Sequence, residues 1–222
     1  RAMDLRFVQQ PIICGHYQAD AIASAERMID QYLLNGALSQ RERLGIYAGP
    51  VSTSTIILHP RSVEDLKRNT CRGAIIVGLG EWSQISTQKI TDTVRDGVLN
   101  YLLTVPLNPQ LENSQTEQLG LNSLLIGYNS TTHITVEASI EAIVRGVCEA
   151  NQQYRYNCTE TQPKRAIARL DFIEFYLDTA ISAAYIVRDL PKRLETELQR
   201  LEARLIPASE LIAPRYQGVR HR

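Results

Sequence analysis

Residues 73–103 read GAIIVGLGEWSQISTQKITDTVRDGVLNYLL. The stretch opens on a β-branched run, Gly73 to Val77, that enters Gly78-Leu79-Gly80. β-Branched side chains suit a pleated, buried surface, and a short apolar run bounded by glycine reads as a strand. Ser86 then precedes a segment in which Ile90, Val94, Val98 and Leu102 recur every four residues. A serine hydroxyl in that place accepts from a first-turn amide, so Ser86 is expected to cap a helix from about Thr87 to Leu103.

Strand, turn and helix recur on both sides. Phe7 to Cys14 is an apolar, proline-interrupted strand, followed by Gly15 and by Ala19 to Leu34, where Ile22, Ala25, Met28, Ile29, Tyr32 and Leu33 keep helical spacing. Leu121 to Ile126 reads as a third buried strand, Gly127 to Thr135 as a loop, and Val136 to Ala150 as a helix with Ile140, Ile143, Val144 and Val147 inward. A strand from Ile167 to Tyr176 and a helix from about Thr179 to Arg188 follow. Pro191 is expected to start one more helix, because Asp189 can cap it and proline is tolerated in a first turn. Leu44 to Tyr47 and Thr53 to His59 are β-rich runs around Ala-Gly-Pro that read as a hairpin or a sharp corner. The polar stretches Pro106 to Leu119 and Gln152 to Lys164 read as surface breaks.

Alternating strands and helices imply parallel pairing, right-handed crossovers and a sheet covered on both faces. The expected fold is therefore α/β: a three-layer, mostly parallel twisted sheet with helices on both faces, plus a C-terminal helical extension. Residues 1–150 form the core, 151–190 add a strand and a helix to the same domain, and 191–222 form an amphipathic helix and a linker to a following domain. The chain opens Arg-Ala-Met-Asp and closes Pro-Arg-Tyr-Gln-Gly-Val-Arg-His-Arg, and both ends read as cut edges of a larger polypeptide.

The 24 basic and 24 acidic side chains balance to zero net charge, which argues against nucleic acid as the main partner, since phosphate binding draws on clustered Lys and Arg. Cys14, Cys71, Cys148 and Cys158 lie far apart without a C-x-x-C pair, and a chain of this size needs no disulfide staples. They are read as reduced. No apolar run reaches the eighteen or so residues that span a bilayer, and the first residues lack a signal-type apolar core, so a cytoplasmic location is expected. The sequons at Asn129 and Asn157 then carry no glycan.

Gly78-Leu79-Gly80-Glu81 after a buried strand, followed by a Ser-capped helix with a Thr-Val-Arg core, resembles the N-terminal domain of the leucyl aminopeptidases, a macro-like fold. Leu124 to Ala150, a strand, a Gly-Tyr loop and a long helix, likewise looks like the last phosphate-loop unit of macro domains. The resemblance covers roughly residues 5–150. The lettering is also similar to domains that accompany caspase-like CHAT peptidases in prokaryotic conflict-system proteins. Peptidase activity is not implied, because such an enzyme needs a C-terminal metal domain with clustered Asp, Glu and Lys. The glycine-rich phosphate loop of ADP-ribose-binding macro domains is here Gly127-Tyr128-Asn129-Ser130-Thr131-Thr132-His133, with one glycine. Close backbone approach to a diphosphate relies on glycine, although Ser and Thr hydroxyls partly substitute.

Ligands of such sheets sit beyond the carboxyl ends of the strands, so Gly15 to Asp20, Gly78 to Trp82 and Gly127 to Thr135 are expected to share one rim. Candidate ligand residues there are Gly15, His16, Asp20, Gly78, Gly80, Trp82, Gly127, Asn129, Ser130, Thr131 and Thr132. Cys14, His16 and Asp20 could assemble a nucleophile, a base and an acid, against the plainer reading of a core cysteine and a helix-capping aspartate. His133 and Cys148 could form a dyad, but Cys148 shares its segment with Val144 and Val147. Ser86-Thr87-Gln88-Lys89 carries the Ser-x-x-Lys letters of penicillin-binding enzymes without their partner motifs, so a plain cap is favoured. The four histidines are scattered without ligand spacing, so neither a metal nor a cofactor is expected.

Leu194, Leu198, Leu201 and Leu205 form a narrow seam among charged neighbours. It suits one partner helix, or folds back on the parent sheet or on the 181–187 helix. The leading expectation is a non-catalytic scaffold or regulatory domain of a larger effector, its partners being other domains of the same polypeptide or another protein. The alternatives are a sensor of a nucleotide or ADP-ribose-like anion at the rim, with Ser130, Thr131, Thr132 and the Gly78–Gly80 backbone as donors, and a thiol hydrolase using Cys14 and His16.

Overall fold

The structure, a computed structural model, describes residues 5, 8–68, 70–106, 108–109, 116–128, 133–159 and 163–208. In chain order the elements are β1 (Ile12–Tyr17), α1 (Ser24–Tyr32), α2 (Ala37–Arg43), β2 (Ser54–Leu58), α3 (Val63–Arg68), β3 (Gly73–Gly80), a single 3-10 turn (Trp82–Gln84), α4 (Thr87–Thr104), β4 (Glu117–Ser123), α5 (Val136–Asn157), β5 (Arg165–Phe172), α6 (Leu177–Arg193) and α7 (Glu195–Arg200). The strands lie in the order β2-β3-β1-β4-β5. β3, β1, β4 and β5 are parallel, and β2 runs antiparallel along β3 at one edge.

The two-residue period of the strands separates the layers. Ile13, Ile75 and Val77 point to the face covered by α4 and α5, where they meet Val94, Val98 and Ile143. Ile12, Cys14 and Ile76 point to the opposite face and meet Ile29, Leu33 and Leu38 of the α1–α2 region. Each aliphatic side chain so buried contributes on the order of 1.5–3 kcal/mol. This is the expected three-layer α/β fold. α5 is buried on a second side as well, because its outer residues Ile140, Val144 and Cys148 pack against α6 and α7. Among the described residues no helix is long and apolar enough to cross a membrane.

Ser86 caps α4 as its sequence implies, its hydroxyl accepting from Lys89 N–H at 3.3 Å, and Thr135 does the same for α5 through Ala138 N–H at 3.1 Å. Other boundaries differ. α1 begins at Ser24 and not near Ala19, because Ala19 (φ 62°) and Ser24 (φ 47°) stand in the left-handed region and turn the chain before the helix starts. Leu44 to Tyr47 is not a strand. A helix, α2, precedes it, and Asp30 holds its start by accepting from Leu38 N–H at 2.7 Å and from Ser39. β2 therefore pairs with β3 and makes no hairpin with 44–47.

The two polar stretches are partly structured. β4 starts at Glu117, whose buried carboxylate lies 3.0 Å from both Arg61 Nη1 and Arg165 Nε. α5 continues to Asn157, with Tyr154 buried and donating to the Pro163 carbonyl at 2.9 Å. β5 correspondingly begins at Arg165 and ends at Phe172. Pro191 starts no helix: α6 runs through it to Arg193, held by Leu190 and Leu194 against α5, and breaks at Leu194 before the short α7.

Candidate functional site

The rim forms as expected in outline. β1 and β3 end side by side, His16 in register with Gly78 and Tyr17 with Gly80, and Ile126 reaches in beside Gly15. The glycines there serve packing. Gly78 N–H donates to the Thr53 carbonyl at 2.8 Å, and a Cβ at Gly78 would stand 2.1 Å from the Pro50 oxygen. Gly80 (φ 70°) donates to the Gly49 carbonyl at 2.9 Å, and its own carbonyl accepts from Gln18 N–H at 2.9 Å. Both amides read from the sequence as anion donors are thus engaged by the 49–53 loop. A Cβ at Gly127 (φ 75°) would press on Ile90 at 2.8 Å. Trp82 stands exposed on its 3-10 turn, while Asn129, Ser130, Thr131 and Thr132 lie outside the described residues.

The Cys14, His16 and Asp20 set is only partly assembled. Asp20 is exposed in the turn after β1 and caps no helix, since α1 begins four residues later. The carboxylate beside His16 is Glu26, reached from α1 at 3.0 Å from Nδ1. Glu26 also accepts from the Tyr47 hydroxyl, and the His16 and Tyr47 rings meet edge to face at 4.8 Å. A Tyr–Glu–His chain, its His16 and Glu26 buried and its Tyr47 half-buried, therefore closes the carboxyl end of β1. Burial, aided by the Glu26 charge, pushes the Cys14 thiol far above its ordinary range, and burial and the Glu26 hydrogen bond do the same to the Tyr47 hydroxyl. Such a thiol stays protonated and is a poor nucleophile. Glu26 was legible in principle: Ile22, Glu26, Ile29 and Leu33 follow one helical stripe, which places a carboxylate on a buried face.

The other pairs separate. His133 is exposed before α5, whereas Cys148 is buried about 18 Å further along the helix at 1.5 Å per residue. Lys89 donates its ammonium to Gln84 at 3.4 Å, leaving Ser86 as a cap. Among the described residues no three His, Cys, Asp or Glu converge as a metal site would require.

The leucine seam folds back on its own chain. Leu194, Leu198 and Leu201 are buried and Leu205 half-buried, all packed with Ile140, Val144 and Cys148. They belong to no single helix, because Leu194 is the α6–α7 junction and Leu205 lies past α7. The exposed apolar surface is elsewhere. Phe175, Tyr176, Leu177, Ile181 and Tyr185 lie between 43% and 76% exposed, and the last three form a stripe at four-residue spacing on α6. A groove of about 1470 Å³ runs beside it between β5, α5, α6 and residues 201–208.

No protein-family model matches the chain, and no curated protein matches it. Among solved structures, a tomato leucine aminopeptidase mutant aligns over 89% of this chain and 37% of its own, at 13% identity and a TM-score of 0.43. The chain thus spans a little over a third of that enzyme's length, and the enzyme is a distant structural neighbour. By its own sheet and layers the chain is a three-layer α/β protein with a five-stranded, mostly parallel sheet.

Proposed function

We propose that the chain is a non-catalytic scaffold or regulatory domain that works through protein contacts, one module of a larger effector. On the resemblance of the Gly78–Glu81 turn and the 124–150 unit to macro-like domains that accompany CHAT peptidases, the effector we propose is one of a prokaryotic conflict system. The observation that carries the reading is the uncovered α6 stripe of Leu177, Ile181 and Tyr185 beside an apolar groove. Three large apolar side chains on one helical face, continuous with exposed Phe175 and Tyr176, form a patch of the kind that marks an interaction site. The leucine seam, already packed on α5, is withdrawn from that role and instead stiffens the surface from behind.

The test is I181D combined with Y185D in the natural polypeptide. Both positions are exposed, so the circular dichroism spectrum and melting temperature are expected to stay in place. Light scattering is expected to report a smaller assembly. An assembly unchanged in mass and composition overturns the reading.

A further inference from the structure

We infer that the α6 groove takes a short amphipathic helix whose apolar face is flanked by carboxylates, an inference that rests on the scaffold reading above. The shape comes from α6. Leu177, Ile181 and Tyr185 at four-residue spacing present one straight ridge with a groove beside it, the surface on which a second helix lays its own i, i+4 residues. An extended strand added to β5 is the competing geometry, and the β5 edge is interrupted against it. Asn151 occupies the Ile167 amide and carbonyl, and Ala168 is an extra residue that interrupts the register with β4.

The charge comes from the groove's lining. Most of its ions are matched: Arg155 with Glu202, Arg169 with Asp171, and Arg165 with Glu117. Glu174 accepts from the amides of Phe175 and Tyr176. Lys164 and Arg204 are exposed and have no carboxylate partner among the described residues, while Arg188 lies over the Tyr185 ring and pairs with Asp189 at 3.8 Å. Lys164 and Arg204 lie toward the same end. Lys164 directly precedes β5 beside the end of α5, where Tyr154 donates to the Pro163 carbonyl, and the Arg155–Glu202 pair and the Gln152–Arg200 hydrogen bond tie the Arg204 segment to that same end. A groove with an apolar floor, and at one end two cations without a carboxylate partner among the described residues, favours a helix with acidic residues, or its C-terminal dipole end, over the cations.

The experiment selects a displayed library of random sixteen-residue peptides against the full chain and, in parallel, against the chain carrying I181D and Y185D. Enriched peptides are expected to place apolar residues at i, i+4 and i+8 with Asp or Glu beside them. Their affinity should fall at least about tenfold in the double variant, a difference of about 1.4 kcal/mol. It should fall by roughly threefold in K164E with R204E, and should weaken with added salt. Apolar peptides with neutral or basic flanks that the stripe variant still abolishes overturn the acidic partner and leave the contact surface standing. No enrichment over the stripe variant overturns both. A dimer of the full chain that I181D dissolves assigns the groove to a second copy and overturns the inference.

Discussion

The Asn151 side chain holds the main chain of Ile167 from both sides, its Nδ2 donating to the Ile167 carbonyl at 2.9 Å and its Oδ1 accepting from the Ile167 amide at 2.8 Å. An amide side chain on α5 thereby supplies Ile167 with the two bonds a sixth strand would make at that residue. Replacing Asn151 by Ala leaves both groups unpaired and is expected to cost about 1–3 kcal/mol in urea denaturation. Sedimentation velocity should show more self-association than in the parent chain, because the edge is reopened.

Glu117 joins the two ends of the sheet through Arg61 and Arg165, all three side chains no more than 3% exposed. Arg165 also donates to the Leu102 carbonyl at 2.8 Å. Glu117→Leu leaves two buried guanidinium groups facing one another without their shared carboxylate. The expected loss is about 3–5 kcal/mol by chemical denaturation. Salt should recover little of it, since a buried charge is poorly screened.

Burial is the leading cause that lifts the Cys71 and Cys148 thiols from an ordinary 9.0 to about 11. Between those two values the unfolded chain has released protons that the native chain still holds, so the native state binds more protons there. Stability is therefore expected to be intact below about pH 9 and to fall as pH rises through about 11. Urea midpoints measured across that window in the parent chain and in Cys71→Ala and Cys148→Ala check the sign, because each variant should lose less over the same rise. At neutral pH, iodoacetamide should label half-exposed Cys158 and spare buried Cys14, Cys71 and Cys148 until the chain unfolds.

Leu198 is 7% exposed in the cluster that joins α7 to α5. Leu198→Ala is expected to cost about 2–5 kcal/mol in thermal or urea denaturation. Its oligomeric state should stay the same. A loss of assembly without a loss of stability would return the seam to a partner helix.

The repeated strand, turn and helix were legible because each depends on neighbours in sequence. Gly73 to Val77 is buried throughout as its β-branched run implies, and Ser86 caps its helix from the position the pattern marks. What misled was polarity. Gln152, Gln153 and Arg155 look like a break, yet they are the outer face of a helix whose inner face carries Tyr154, and Glu117 looks like loop because its two guanidinium partners lie 56 and 48 residues away. The ends of β1 and β3 meet where the alternation of strand and helix implies, but the bonding of their amides was not legible. Whether Gly78 and Gly80 offer free amides depends on where the 49–53 loop lies, and which carboxylate meets His16 depends on the packing of α1.

The sequence by itself determined the class of fold and the starts of the two long helices, because periodicity and capping are local properties of the chain. Only the tertiary structure decided that Glu26 and Tyr47 close on His16, that the leucine seam turns inward onto α5, and that the α6 stripe is left uncovered. Each of these is a competition between surfaces distant in sequence for the same apolar or hydrogen-bonding partner, and such a competition has no signature in any one stretch of residues.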